Sequence, residues 1–185
     1  MQSWHKYGII KNINFCKGDV RLTSTNDVLL LDRIRETTHQ KLDKTRYDTT
    51  LIRDTTNCYS YAMGSTVSCL NLYRVGAISG KKPIEEPYYS TDEIIKLLYE
   101  DFKKIDLEIE KSSEEEKINE NQYKIALFVK IYADRKIHDF HFARFEEGRW
   151  SEKFRWQLPR DLGTSLKNEY NYWPWSLVGI FKVSR

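Results

Sequence analysis

The chain lacks most of the features that would assign it to a class at sight. It has three cysteines in 185 residues, Cys16, Cys58 and Cys69. An odd number without zinc-type spacing argues against a disulfide framework and points to reduced thiols. Charge of one sign is also lacking, since 30 Lys and Arg against 27 Asp and Glu leave only +3. With no polybasic arm, nucleic acid is not an expected partner. No run of about twenty apolar residues occurs, so no membrane span is expected. The opening Met1-Gln2-Ser3-Trp4-His5-Lys6-Tyr7 has no apolar h-region. The expectation is a chain that is cytoplasmic as synthesised, with secretion by a signal-peptide-independent route left open.

What is present suffices for a folded domain. Hydrophobic residues make up 40% of the chain, with 12 Tyr and 5 Trp, enough to bury a core. One domain over residues 1–185 is expected, with 1–45 as an N-terminal extension and 106–122 as a surface insertion. Val28-Leu29-Leu30-Leu31 precedes a charged run, Asp32 to Lys44, that reads as an exposed helix or a solvated loop. Ser90-Thr91-Asp92-Glu93 fits a capping box and opens a helix with Ile94, Leu97, Leu98, Phe102 and Ile105 on one face. The segment 106–122, with Glu114-Glu115-Glu116, shows no sustained apolar period. Strands are then expected over Tyr123–Tyr132, Asp139–Phe145, Arg149–Phe154 and Ser176–Val183. Helices followed by an antiparallel sheet give the α+β class.

The stretch that carries chemistry is Thr55-Thr56-Asn57-Cys58-Tyr59-Ser60-Tyr61-Ala62-Met63-Gly64. Cap-type residues before Cys58 put it in the first turn of a short helix. There the helix dipole and unsatisfied N–H groups favour a thiolate and can hold a developing oxyanion. Asn57 serves either as the cap or as an amide donor to that oxyanion. A lone cysteine is more often a small buried hydrophobe, so a base is needed to make the case. His141, in Ile137-His138-Asp139-Phe140-His141-Phe142, is the candidate. His138-x-x-His141 would suit a metal on a helix, but the segment alternates like a strand, so no metal is expected.

A third residue to orient the imidazole depends on hairpin register. A three-residue loop at 146–148 pairs Phe145 with Arg149 and sets Ser151 on the His141 face. A two- or four-residue loop sets Glu152 there instead. Glu152 is the expected third member, with Asp139, Ser151 and Asp161 as alternatives.

Four segments carry a resemblance. Asn57-Cys58-Tyr59-Ser60-Tyr61-Ala62 resembles the N-C-Y-x-Y-A nucleophile motif of a bacterial group with papain-like features. Tyr123-Lys124-Ile125-Ala126-Leu127-Phe128 resembles that group's strand before the histidine, and Asp139-Phe140-His141-Phe142-Ala143-Arg144 its D-Y-H-F/W-Y-R segment. Gly148-Arg149-Trp150-Ser151-Glu152-Lys153 resembles its G-x-W-S-H-K, with Glu152 where the pattern has histidine. The order, helical cysteine then strand histidine, is also similar to cell-wall peptidases of the NlpC type.

The resemblance implies a papain-like thiol hydrolase with Cys58 as nucleophile and His141 as base. It would act on an amide bond of a protein, peptide or peptidoglycan-type substrate, as a peptidase, amidase or deamidase, without metal or organic cofactor. Three alternatives accompany it: a catalytically inactive papain-like interaction module, a delivered effector or acyltransferase using the same pair, and a redox-responsive protein pairing Cys58 with Cys69.

Overall fold

The computed structural model describes residues 25–68, 74–81, 90–132, 137–166 and 175–185, with side chains from residue 28 onward. Cys16 and Cys69 lie outside these residues, as does any pairing of Cys69. The described chain is α+β. Four helices are α1 (Thr25–Thr38), α2 (Thr50–Thr55), α3 (Cys58–Met63) and α4 (Thr91–Lys104), with a 3-10 turn at Lys44–Tyr47. Six strands follow: β1 (Glu108–Ser112), β2 (Gln122–Ile131), β3 (Ile137–Glu146), β4 (Arg149–Glu152), β5 (Arg160–Gly163) and β6 (Trp175–Ser184). They form one antiparallel sheet in the order β1-β6-β2-β3-β4-β5.

The strand alternation sends side chains to two separate cores. Tyr123, Ile125, Leu127, Val129 and Phe142 meet α1, α3 and α4 on one face. Ala126, Phe128, Ala143, Trp150 and Ile180 pack on the other with Leu162 and Leu166. β2 is buried on both faces, which is why it reads as a continuous apolar run. α4 begins at the expected capping box and buries Ile94, Leu98 and Phe102.

Two expectations need correction. Residues 25–38 are not part of an extension: Leu31, Ile34 and Thr38 recur at helical spacing, and Leu31 and Ile34 enter the core beneath α4 and the sheet. The charged residues after Leu31 cover the outer side of that helix. The supposed insertion at 106–122 begins as β1, which pairs with β6 from Glu108↔Ser184 to Ser112↔Ile180. β1 is an edge strand with Ile109 as its one apolar residue, so neither alternation nor hydrophobicity reveals it. The β3–β4 register, which the sequence left open, is that of a two-residue loop: Glu146 pairs with Arg149 and Phe145 with Trp150. Both loop residues have positive φ, Glu147 at 53° and Gly148 at 80°. That is the geometry of a type I′ turn, whose twist matches the flanking strands.

Candidate active site

Cys58 opens α3, and the local sequence explains why the helix starts there. Asn57 is extended and its Oδ1 accepts from Tyr59 N and Ser60 N, at 2.9 and 3.1 Å. Ser60 Oγ accepts from Asn57 N at 2.8 Å, which completes a capping box. Asn57 therefore acts as the cap, and the Cys58 N–H stands outside it. Gly64 ends the helix at φ +86°, a conformation that costs glycine little.

Three side chains fix the orientation of this short helix. Tyr59 donates to Asp101 on α4 at 2.9 Å, and Tyr61 donates to Ser151 on β4 at 2.8 Å. Two residues apart on a helix, they point roughly 200° from each other. Arg144 on β3 donates to Ala62 O at 3.0 Å, satisfying a carbonyl at the helix C-terminus. A six-residue helix has little stability alone, and these ties supply what propensity cannot.

Cys58 belongs to the helix-side core, whereas His141 alternates with Phe140 and Phe142 and points to the opposite face. They meet because the pairing of β4 with β3 stops at Ala143↔Glu152, before His141 is reached. The ring of His141 stacks on Phe154, with centroids 4.1 Å apart and planes 11° apart, and meets the edge of Trp175 at 6.0 Å. Its Nε2 lies 2.7 Å from Glu152 Oε2. Nδ1 is then the ring nitrogen left for the Cys58 thiol, whose influence on His141 shows in the raised imidazole.

Electrostatics follow from these contacts. Burial of His141 opposes its charged form, but the charge and hydrogen bond of Cys58 and those of Glu152 outweigh it, raising the imidazole to about 9. Glu152 is fully buried, and its other oxygen accepts from Arg160 Nε. Arg160 also lies over the Phe154 ring, at 5.8 Å. Lys153, next in the chain, points to the helix side, where its ammonium donates to Arg53 O at 2.8 Å, Thr56 O at 2.9 Å and Arg155 O. Burial pulls Lys153 down to about 8, against the opposing pull of the charges at Cys58 and Asp54.

Cys58, His141 and Glu152 are thus brought together, and the other three candidates for the third position are not. Ser151 pairs with Arg144 and faces the helices, where its hydroxyl bonds Tyr61. Asp161 accepts from Arg149 at 2.7 Å and from Gly163 N at 2.6 Å on the surface. Asp139 Oδ1 accepts from Phe140 N at 2.9 Å. His138 packs edge-on to Tyr132 at 4.8 Å, away from any ligand set among the described residues. Lys153, Phe154 and Arg160 escape the sequence reading. The available signal was alternation, which sends Glu152, the last residue of β4, and Lys153 just beyond it to opposite sides.

Comparison with protein-family models, curated proteins and solved structures finds no match for this chain. Among the described residues, no helix is long and apolar enough to cross a membrane.

Proposed function

We propose that this protein is a papain-like cysteine hydrolase acting on an amide or peptide bond. The observation that carries the reading is the buried chain of contacts from Cys58 to His141 to Glu152, with His141 raised to about 9. An imidazole raised that far is a cation at neutral pH, and a cation touching a thiol is the pairing a sulfur nucleophile requires.

In this reading the Cys58 thiolate attacks the carbonyl carbon of the substrate, forming a C–S bond and placing negative charge on oxygen. The Cys58 N–H, outside the Asn57 cap, donates to that oxyanion. His141 gives its Nδ1 proton to the leaving amine as the C–N bond breaks, which leaves a thioester and a neutral imidazole. The imidazole then takes a proton from water, the hydroxide attacks the thioester, and the thiolate departs to restore the pair. Glu152 holds the ring by Nε2 throughout, and Arg160 occupies its second oxygen. The replacement of histidine by Glu152 in the W-S-x-K pattern keeps the orienting role, because a carboxylate accepts from Nε2–H directly. Substrates would be a protein, a peptide or a peptidoglycan-type amide.

Alkylation of the folded protein by iodoacetamide, resolved by mass spectrometry at each cysteine, tests the pair. Cys58 should react faster than Cys16 and Cys69, and His141→Ala should slow it by on the order of 10²-fold. Equal rates at Cys58 in wild type and His141→Ala would end the catalytic reading.

A further inference from the structure

Like Lys124, whose ammonium donates to Ser113 O and Glu114 O, Lys153 is a buried lysine held by backbone carbonyls. It is fully buried, yet the partners of its ammonium are three backbone carbonyls and no carboxylate. A buried lysine is costly and is normally offset by a counter-charge. Two of the carbonyls, Arg53 O and Thr56 O, belong to the last turn of α2 and its C-cap. The third, Arg155 O, belongs to the chain just beyond β4. Three donors on three acceptors fix the Nζ position with no rotational freedom left.

The carbonyls alone do not require a cation. A helix C-terminus can be satisfied by water or by a neutral donor, and here the C-cap Thr56 is itself fully buried. What the site offers besides carbonyls is the charge of two neighbours, Cys58 and Asp54, both of which act on Lys153. Thr56, one of the tethered residues, stands two positions before Cys58, so the ammonium also fixes the backbone entering α3. His141 approaches Cys58 from the other face of the sheet. Glu152 and Lys153, adjacent in sequence, thus serve the two partners of the pair separately, one holding the imidazole and the other tied to the backbone two residues before the nucleophile.

We propose that Lys153 is a positioning residue for the Cys58 nucleophile: its ammonium, anchored on Arg53 O, Thr56 O and Arg155 O, holds the segment entering α3 and supplies a fixed positive charge to Sγ. This rests on the Cys58–His141 reading, and the two fail separately.

The experiment measures iodoacetamide alkylation of Cys58 at pH 7 in wild type, His141→Ala, Lys153→Met and Lys153→Arg, with folding verified by circular dichroism and thermal melting. Lys153→Met should slow Cys58 on the order of tenfold, the effect of removing one opposite charge at close range. Lys153→Arg, which keeps the charge, should recover most of the rate even where its melting temperature is lowered. A folded Lys153→Met that reacts at the wild-type rate overturns the proposal. Equal slowing by methionine and arginine overturns it too, because a tether alone would then account for the loss. If methionine prevents folding, Lys153→Gln, which retains two N–H donors without charge, takes its place with the same expected slowing. Should His141→Ala leave the rate unchanged, the hydrolase reading fails. Should His141→Ala slow Cys58 while Lys153→Met does not, the role of Lys153 alone is lost.

Discussion

His141 Nε2 and Glu152 Oε2 are 2.7 Å apart, with both side chains closed off from solvent. The contact exists because Ala143 faces Glu152 across the β3–β4 ladder, which sets Glu152 on the same face as His141. A register one residue longer would send Ser151 there and leave a buried carboxylate among the helices.

Replacing Glu152 should therefore act on His141 rather than on Cys58 directly. In Glu152→Gln the His141 titration, followed by NMR of the ring nitrogens, should move down from about 9. Alkylation of Cys58 should slow about tenfold or more. Asp139→Asn and Asp161→Asn should leave both quantities unchanged. An effect of Asp161→Asn equal to that of Glu152→Gln would move the third position to Asp161.

The pH dependence has a definite sign. His141 is raised from 6.5 to about 9, so the folded protein holds a proton that the unfolded chain releases earlier. Its contribution to stability is fully present below pH 6.5 and is lost as pH rises through about 9. The two values bound it at about 3 kcal/mol. Urea unfolding of wild type should lose stability relative to His141→Ala between pH 6 and pH 10. Turnover of an amide substrate should fall on its alkaline side near pH 9, where the leaving amine loses its acid. A stability difference that is flat across this range would remove the basis for a charged His141.

Gly64 tests the seating of α3. Its φ is +86°, and a Cβ built there would lie 2.9 Å from Arg144 Nη1. That guanidinium is committed to Ala62 O and Glu146 and stacks on Tyr123 at 3.6 Å, so it has little room to yield. Gly64→Ala should cost about 1–3 kcal/mol in urea unfolding. A neutral result would mean that Arg144 does not clamp the helix.

The membership of α1 in the domain can be checked by two substitutions. Ile34→Ala, at a fully buried position, should cost about 2–5 kcal/mol. Leu29→Ala, at a position 62% exposed, should change stability by less than about 0.5 kcal/mol. Similar small effects at both would return residues 25–38 to the status of an extension.

Much of this protein is set by local sequence. The cap at Asn57, the first-turn place of Cys58, the capping box at Ser90 and the runs that become β2, β3 and β6 are short-range features, decided by hydrogen bonds and alternation within a few residues. His141 could be named from the same information, because strand alternation gives each side chain one of two faces. Tertiary structure decided the rest. β1 became a strand because β6 offered an unpaired edge, and α1 became a core element because Ile34 had α4 and the sheet to pack against. Glu152 was chosen over Ser151 by one step of hairpin register, in which Glu147 accepts a positive φ that its own preference disfavours. Lys153 stayed invisible for a related reason. Two of its three partners are backbone carbonyls about a hundred residues away in the chain, and a carbonyl leaves no mark in the identity of the residue that bears it.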